Sequence, residues 1–199
     1  MNTTLNEIRS HSPCVESWEI LLRSLNKTKA DDDPLPYSRI LEICRVSDCL
    51  WAIARCRPDG QRVCAEFALS CAESVRHLMM DPRSIVALDV TRKYLDGHAT
   101  FEQLQASRAA AEIATDESSD AAAYAARAAD WAARVAGGPA MDVPADWGAI
   151  CVATDAACAA AWEAAWAADN AGYAAGAAAY AAARTAQRSK LLGMLEEMA

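Results

Sequence analysis

Phe101 to Val135 reads FEQLQASRAAAEIATDESSDAAAYAARAADWAARV. Alanine dominates it, and alanine is the strongest helix former and the smallest side chain with a Cβ. Its large residues recur at helical spacing: Ile113, Tyr124, Trp131 and Val135 fall on one narrow face if the stretch is continuous. A second such segment runs from Trp147 to Gln187, separated from the first by Gly137-Gly138-Pro139 and Pro144. Alanine fills 47 of the 199 positions, 39 of them after residue 100. A chain of this kind, with 8 Gly and 7 Pro, is neither collagen-like, disordered nor a β-sandwich. The fold class read from it is all-α: short capped helices followed by long alanine-rich antiparallel helices. The 53% hydrophobic fraction overstates the core, because alanine inflates it.

Working back toward the N-terminus, local signals place the shorter helices. Thr100 and Gln103 have capping-box spacing for a helix from Phe101. Asp81-Pro82 is an N-cap and first-turn pair for Arg83 to Leu95, with Gly97 as the stop. Gln61 to Met80 reads as one helix, with Val63, Phe67, Cys71, Val75 and Leu78 inward. Cys49 to Arg55 is capped by Ser47 or Asp48, and Tyr37 to Arg45 buries Ile40, Leu41 and Cys44. Ser12-Pro13 opens Cys14 to Leu25. The chain reads as one helical domain, 1–199, with a subdivision at 1–100 and 101–199 as the alternative. Whether Asp116 to Asp120 breaks the first alanine segment stays open.

The second segment, if continuous, is about 60 Å long, with Gly172 and Gly176 as candidate bends. On it Cys151, Cys158, Trp162, Trp166, Tyr173 and Tyr180 share about an 80° sector, at about 100° per residue. Asp155 and Asp169 fall in the same sector. A buried carboxylate needs a donor, which a Trp N–H, a Tyr hydroxyl or an Arg of a neighbouring helix supplies. Core packing is the preferred reading of the sector and a protein interface the alternative.

Eight cysteines are present. Cys49 and Cys56, Cys64 and Cys71, and Cys151 and Cys158 stand seven apart, two helical turns or about 10.5 Å. A disulfide needs Cα atoms within about 7 Å. The cysteines therefore read as reduced core residues. No CxxC or zinc-ligand set occurs, and no metal or cofactor is expected. Serine-nucleophile, phosphate-loop and dinucleotide motifs are missing. His77 with Asp81 is the one acid–base pairing in reach, and capping the next helix is the preferred role for Asp81.

Net charge is −8 and lopsided. Residues 1–100 carry 13 basic and 14 acidic side chains, and residues 101–199 carry 6 and 13. That balance disfavours direct nucleic-acid binding, and it suits either a basic protein partner or a merely solubilising surface. The partner-binding residues expected are Asp31, Asp32, Asp33, Asp116, Glu117, Asp120, Asp130, Asp155, Trp162, Trp166 and Asp169. For Asp31 to Asp33 the alternative is a solvated loop balanced by Lys27 and Lys29. No apolar stretch reads as a signal peptide or membrane span, so a cytoplasmic protein is expected.

Two segments, SLNKTKADDDPLPYSRILE (Ser24 to Glu42) and VRHLMMDPRSIVALDVTRKYLDGHATFEQL (Val75 to Leu104), resemble the immunity proteins of phage genomes and bacterial polymorphic-toxin loci. Those proteins share the KTKADD-PLP loop, the HLM-DPRS-ALDV segment and the alanine-rich remainder. This chain departs from them in the scarcity of arginine in its alanine region. The resemblance implies a non-enzymatic protein that binds and blocks a toxin or host-defence effector. The alternatives are a nucleic-acid mimic that sequesters a nucleic-acid-binding effector, a small enzyme, and self-association through alanine-faced helices into a homo-oligomer.

Overall fold

The computed structural model describes residues 1–118, 120–137, 152, 155–156, 158–160, 163 and 173–198. The fold is all-α. Its described strands are a two-residue antiparallel pair, Asn2–Thr3 (β1) against Leu35–Pro36 (β2). The chain divides into two compact units, Met1–Val63 with Arg188–Ala199, and Cys64–Gln187.

The first unit contains α1 (Leu5–Ser10), α2 (Val15–Ser24), α3 (Tyr37–Ile43) and α4 (Val46–Cys56). Helix α1 is absent from the sequence reading. It starts where the Thr4 hydroxyl accepts from the Glu7 N–H at 3.1 Å, and it buries only Leu5 and Ile8. Helix α2 starts later than Ser12-Pro13 indicates, because Ser12 has a left-handed backbone, φ 55°, which cannot lead into a helix. Asp48 is not the cap of α4. It sits in the first turn, and its carboxylate accepts from the Arg45 N–H at 3.1 Å and from the Ser17 hydroxyl at 3.0 Å, tying α2 to α4. Tyr37, Ile40, Leu41, Cys49, Leu50 and Ile53 form the interior. Gly60, the first residue of α5 (Gly60–Ser74), lies hard against the Ile53 carbonyl.

The second unit holds most of α5, a 3-10 turn at Arg76–Leu78, α6 (Pro82–Leu95), α7 (Phe101–Glu117) and α8 (Asp120–Gly137). The long helix expected to Met80 stops at Ser74. Ser70 and Ser74 turn their hydroxyls back onto the Phe67 and Cys71 carbonyls at 2.8 and 2.6 Å, a competition that weakens a helix end. The caps of α6 and α7 are as expected. Asp81 accepts from the Arg83 N–H at 2.8 Å, Gly97 takes φ 77°, and Thr100 and Gln103 bond reciprocally at 2.8 and 3.3 Å. The polar run after Thr115 does break the helix, at Ser118.

Helices α6, α7 and α8 pack against one another. Helix α8 buries Ala125, Ala126, Ala128, Ala129, Ala132 and Ala133, and α7 buries Leu104, Ser107, Ala111 and Ala114. Alanine is thus the packing surface of these helices, letting them approach closely. The single bulky face expected from Ile113 to Val135 does not exist. Ile113 lies on α7 and is 51% exposed, while Tyr124, on α8, is 37% exposed and only Val135 is buried.

Cys49, Cys64, Cys71 and Cys158 are buried, as expected of small core residues. Burial pushes the Cys44 and Cys56 thiols up to about 11 and Cys64 up to about 12. Cys14 departs from that reading: it is exposed at the start of α2, where backbone N–H groups lower its pKa. The C-terminal helix, Tyr173–Glu197, runs past the expected end at Gln187. Among the described residues, no helix is long and apolar enough to cross a membrane.

Candidate functional site

Helix α7 has two faces of different chemistry. Leu104, Ser107, Ala111 and Ala114 repeat at intervals of three and four and are buried. Opposite them, Glu102, Ala106, Ala109, Ile113 and Asp116 repeat at four and three and are exposed, with Glu112 and Glu117 beside them. The outward face is a smooth alanine strip with one large apolar residue, Ile113, and carboxylates along it. Tyr124, on α8, is a further large residue left partly exposed.

The expected partner-binding residues separate into distinct situations. In the Asp31 to Asp33 loop, Lys27 bridges Asp31 at 2.6 Å and Asp33 at 2.8 Å, and the Asn6 amide donates to Asp32 at 2.9 Å. The Lys27 hydrogen bond holds the Asp31 carboxyl below its ordinary range. Glu117 pairs with Arg83, which also grips Asp81 at 2.6 Å. Asp116 is exposed with no ion pair among the described residues. Asp120 begins α8. Trp162, Trp166 and Asp169 lie outside the described residues.

Asp130 is interior, only 5% exposed, inside the buried alanine face of α8. A partner cannot reach it. Its Oδ1 has no hydrogen bond, and the nearest cation is Arg108 of α7 at 3.8 Å. Burial raises its pKa, against the pull of Arg134, Arg108 and Arg127. Arg108 is held in turn by Gln105 at 3.2 Å and Glu112 at 3.6 Å.

Asp155 decides whether the second alanine segment is one straight helix: it is not. It pairs with Arg184, whose guanidinium also donates to the Tyr180 hydroxyl at 3.0 Å and lies 5.3 Å from that ring's centroid. On a straight helix, positions 155 and 184 stand about 44 Å apart. Their contact puts the two ends side by side, so Asp155 and Tyr180 do not share a wheel. An arginine is the donor for Asp155, though the carboxylate is exposed. Tyr124, Ala159, Glu163 and Tyr180 line a small notch at this place. Position along the sequence gave no signal for the pairing of Arg184, or for Arg108 as the partner of Asp130.

Asp81 caps α6 and holds Arg83, the capping role preferred for it over pairing with His77. No group of three metal-ligating side chains occurs among the described residues.

Residues 54–138 match the family model of the Imm-5 like putative immunity proteins. The chain thus carries an Imm-5 like segment. It takes in α5 through α8, the HLM-DPRS-ALDV motif and the outward face of α7. The Asp31 to Asp33 loop and Asp155 fall outside it. No curated protein and no solved structure matches the chain.

Proposed function

We propose that the chain is a non-enzymatic immunity protein that blocks a toxin or defence effector by covering a basic surface on it. The observation that supports this most is the outward face of α7 inside the Imm-5 like segment, where exposed Glu112 and Asp116 flank Ile113 and exposed Glu102 stands about three turns away. An exposed apolar anchor with charges at its rim is how protein interfaces are built. The carboxylates steer the encounter with a basic partner, and Ile113 and the alanine strip supply contact that excludes water. The acids are interrupted by Ala106, Ala109 and Ile113, which disfavours a phosphate-like array and hence nucleic-acid mimicry.

Co-expression with candidate toxins, one at a time, identifies one that the wild-type chain neutralises and so tests the reading. The wild-type chain restores growth, and E102K/E112K/D116K does not, although its circular dichroism is unchanged. The purified complex weakens about tenfold or more in the variant, and weakens further as salt rises. Undiminished protection by the folded triple variant overturns the proposal.

A further inference from the structure

The notch between Tyr124, Ala159, Glu163 and Tyr180 has a chemistry the proposed function does not use. Its volume is about 260 Å³. That is below the roughly 300–1,000 Å³ of a pocket for a drug-sized ligand, and suited to a single side chain. Two phenol rings and one carboxylate line it, among the described residues. Glu163 is half-buried and has no ion pair among the described residues.

Each lining group selects against other occupants. The carboxylate disfavours an anion by repulsion, and disfavours an aliphatic side chain because it loses water without gaining a partner. The face of a tyrosine ring attracts a cation. A planar guanidinium satisfies rings and carboxylate together, since it stacks while its edge donates to an acid. An ammonium is a compact, strongly hydrated charge and fits less well. The chain already shows this chemistry at the same ring: Arg184 lies against Tyr180, donates to its hydroxyl and pairs with Asp155. Arg184 is thereby committed to Asp155, and Arg134 is committed to Trp131 at 4.4 Å.

We propose that the notch receives an arginine side chain presented by the protein partner. This rests on the immunity reading for the identity of the partner, and it sharpens that reading from a basic surface to one inserted guanidinium. Tyr124, which lines the notch, lies inside the Imm-5 like segment, as does the α7 face.

The test uses the whole chain and no toxin. N-acetyl-arginine amide is titrated into isotopically labelled protein and followed by NMR, with N-acetyl-citrulline amide as the uncharged isostere. Saturable shifts are expected at Tyr124, Ala159, Glu163 and Tyr180 with arginine, and at least tenfold weaker binding with citrulline. E163Q lowers arginine affinity at least tenfold, and Y124L at least threefold. Equal binding of citrulline, shifts elsewhere, or arginine binding untouched in folded E163Q overturns the notch. Its failure alongside salt-dependent toxin neutralisation removes only the notch. Arginine binding by a chain that fails to protect against the toxin removes only the immunity reading.

Discussion

Asp130→Asn isolates a cost that the alanine seam carries. At 3.8 Å and an effective dielectric constant of about 20, the attraction of Arg108 is worth roughly 4 kcal/mol. Against it stand several kcal/mol for desolvating the carboxylate and about 1–3 kcal/mol for the Oδ1 that finds no hydrogen bond. The raised pKa of Asp130 says that burial outweighs the arginines. Asparagine keeps the shape and removes the charge. Arg108 is not orphaned, because Gln105 and Glu112 still hold it. The variant is therefore more stable than wild type at pH 7, by about 1–2 kcal/mol, or roughly 2–8 °C in Tm for a chain of this size. The pH dependence gives the sharper signature. A folded pKa above the ordinary 3.8 means that protonated Asp130 supports the fold below that value, and that this support is lost as pH rises through the folded pKa. The advantage of D130N accordingly grows between about pH 4 and pH 7. Thermal melts of both proteins across that range, followed by circular dichroism, measure it. A less stable D130N at neutral pH, or a difference independent of pH, refutes the reasoning.

Two further substitutions probe the packing. Ala129→Leu puts a large side chain into the fully buried seam and costs roughly 1–3 kcal/mol, whereas Ala109→Leu on the exposed face of α7 leaves Tm nearly unchanged; equal effects contradict the assignment of faces. Gly60→Ala brings a Cβ to within 2.2 Å of the Ile53 carbonyl oxygen, so the backbone must move and denaturant unfolding should show a loss of about 2 kcal/mol or more, while a neutral result denies the close approach.

Where elements announce themselves through short-range chemistry, the chain was readable. The caps of α6 and α7 are side chains bonding to backbone within three residues, and Asp81, Thr100, Gln103 and Gly97 stand where they act. Helix α1 escaped notice because two buried residues, Leu5 and Ile8, are too few for a periodic signal. Asp48 was misplaced by one turn's logic: a carboxylate in the first turn serves the cap from inside as well as from the cap position. The alanine region was the harder case. Periodicity separates large residues from small ones, but it does not say which set faces inward. Here the small ones do, and Ile113 and Tyr124 were left outside. Pairings such as Asp155 with Arg184 and Asp130 with Arg108 depend on which helices are neighbours, information that no local spacing holds. Among the expected binding acids, Asp116 and Glu117 do lie on the exposed surface of the matched segment, whereas Asp130 is inside it.

The seam between α7 and α8 has a thermodynamic consequence of its own. An alanine methyl has no rotamers to freeze, so bringing Ala111 and Ala114 against the Ala125 to Ala133 face orders the backbone and nothing else. The same methyls bury little area each, and their outlines are nearly alike from one turn to the next. Sliding α8 along α7 by one turn would therefore exchange methyl for methyl, with few knobs to resist it. Among the described residues, the close seat of Gly137 on Leu104 and Phe101 and the charge of Asp130 opposite Arg108 both make one alignment differ from its neighbours. A carboxylate that weakens the helix pair is also a mark by which the pair finds its place.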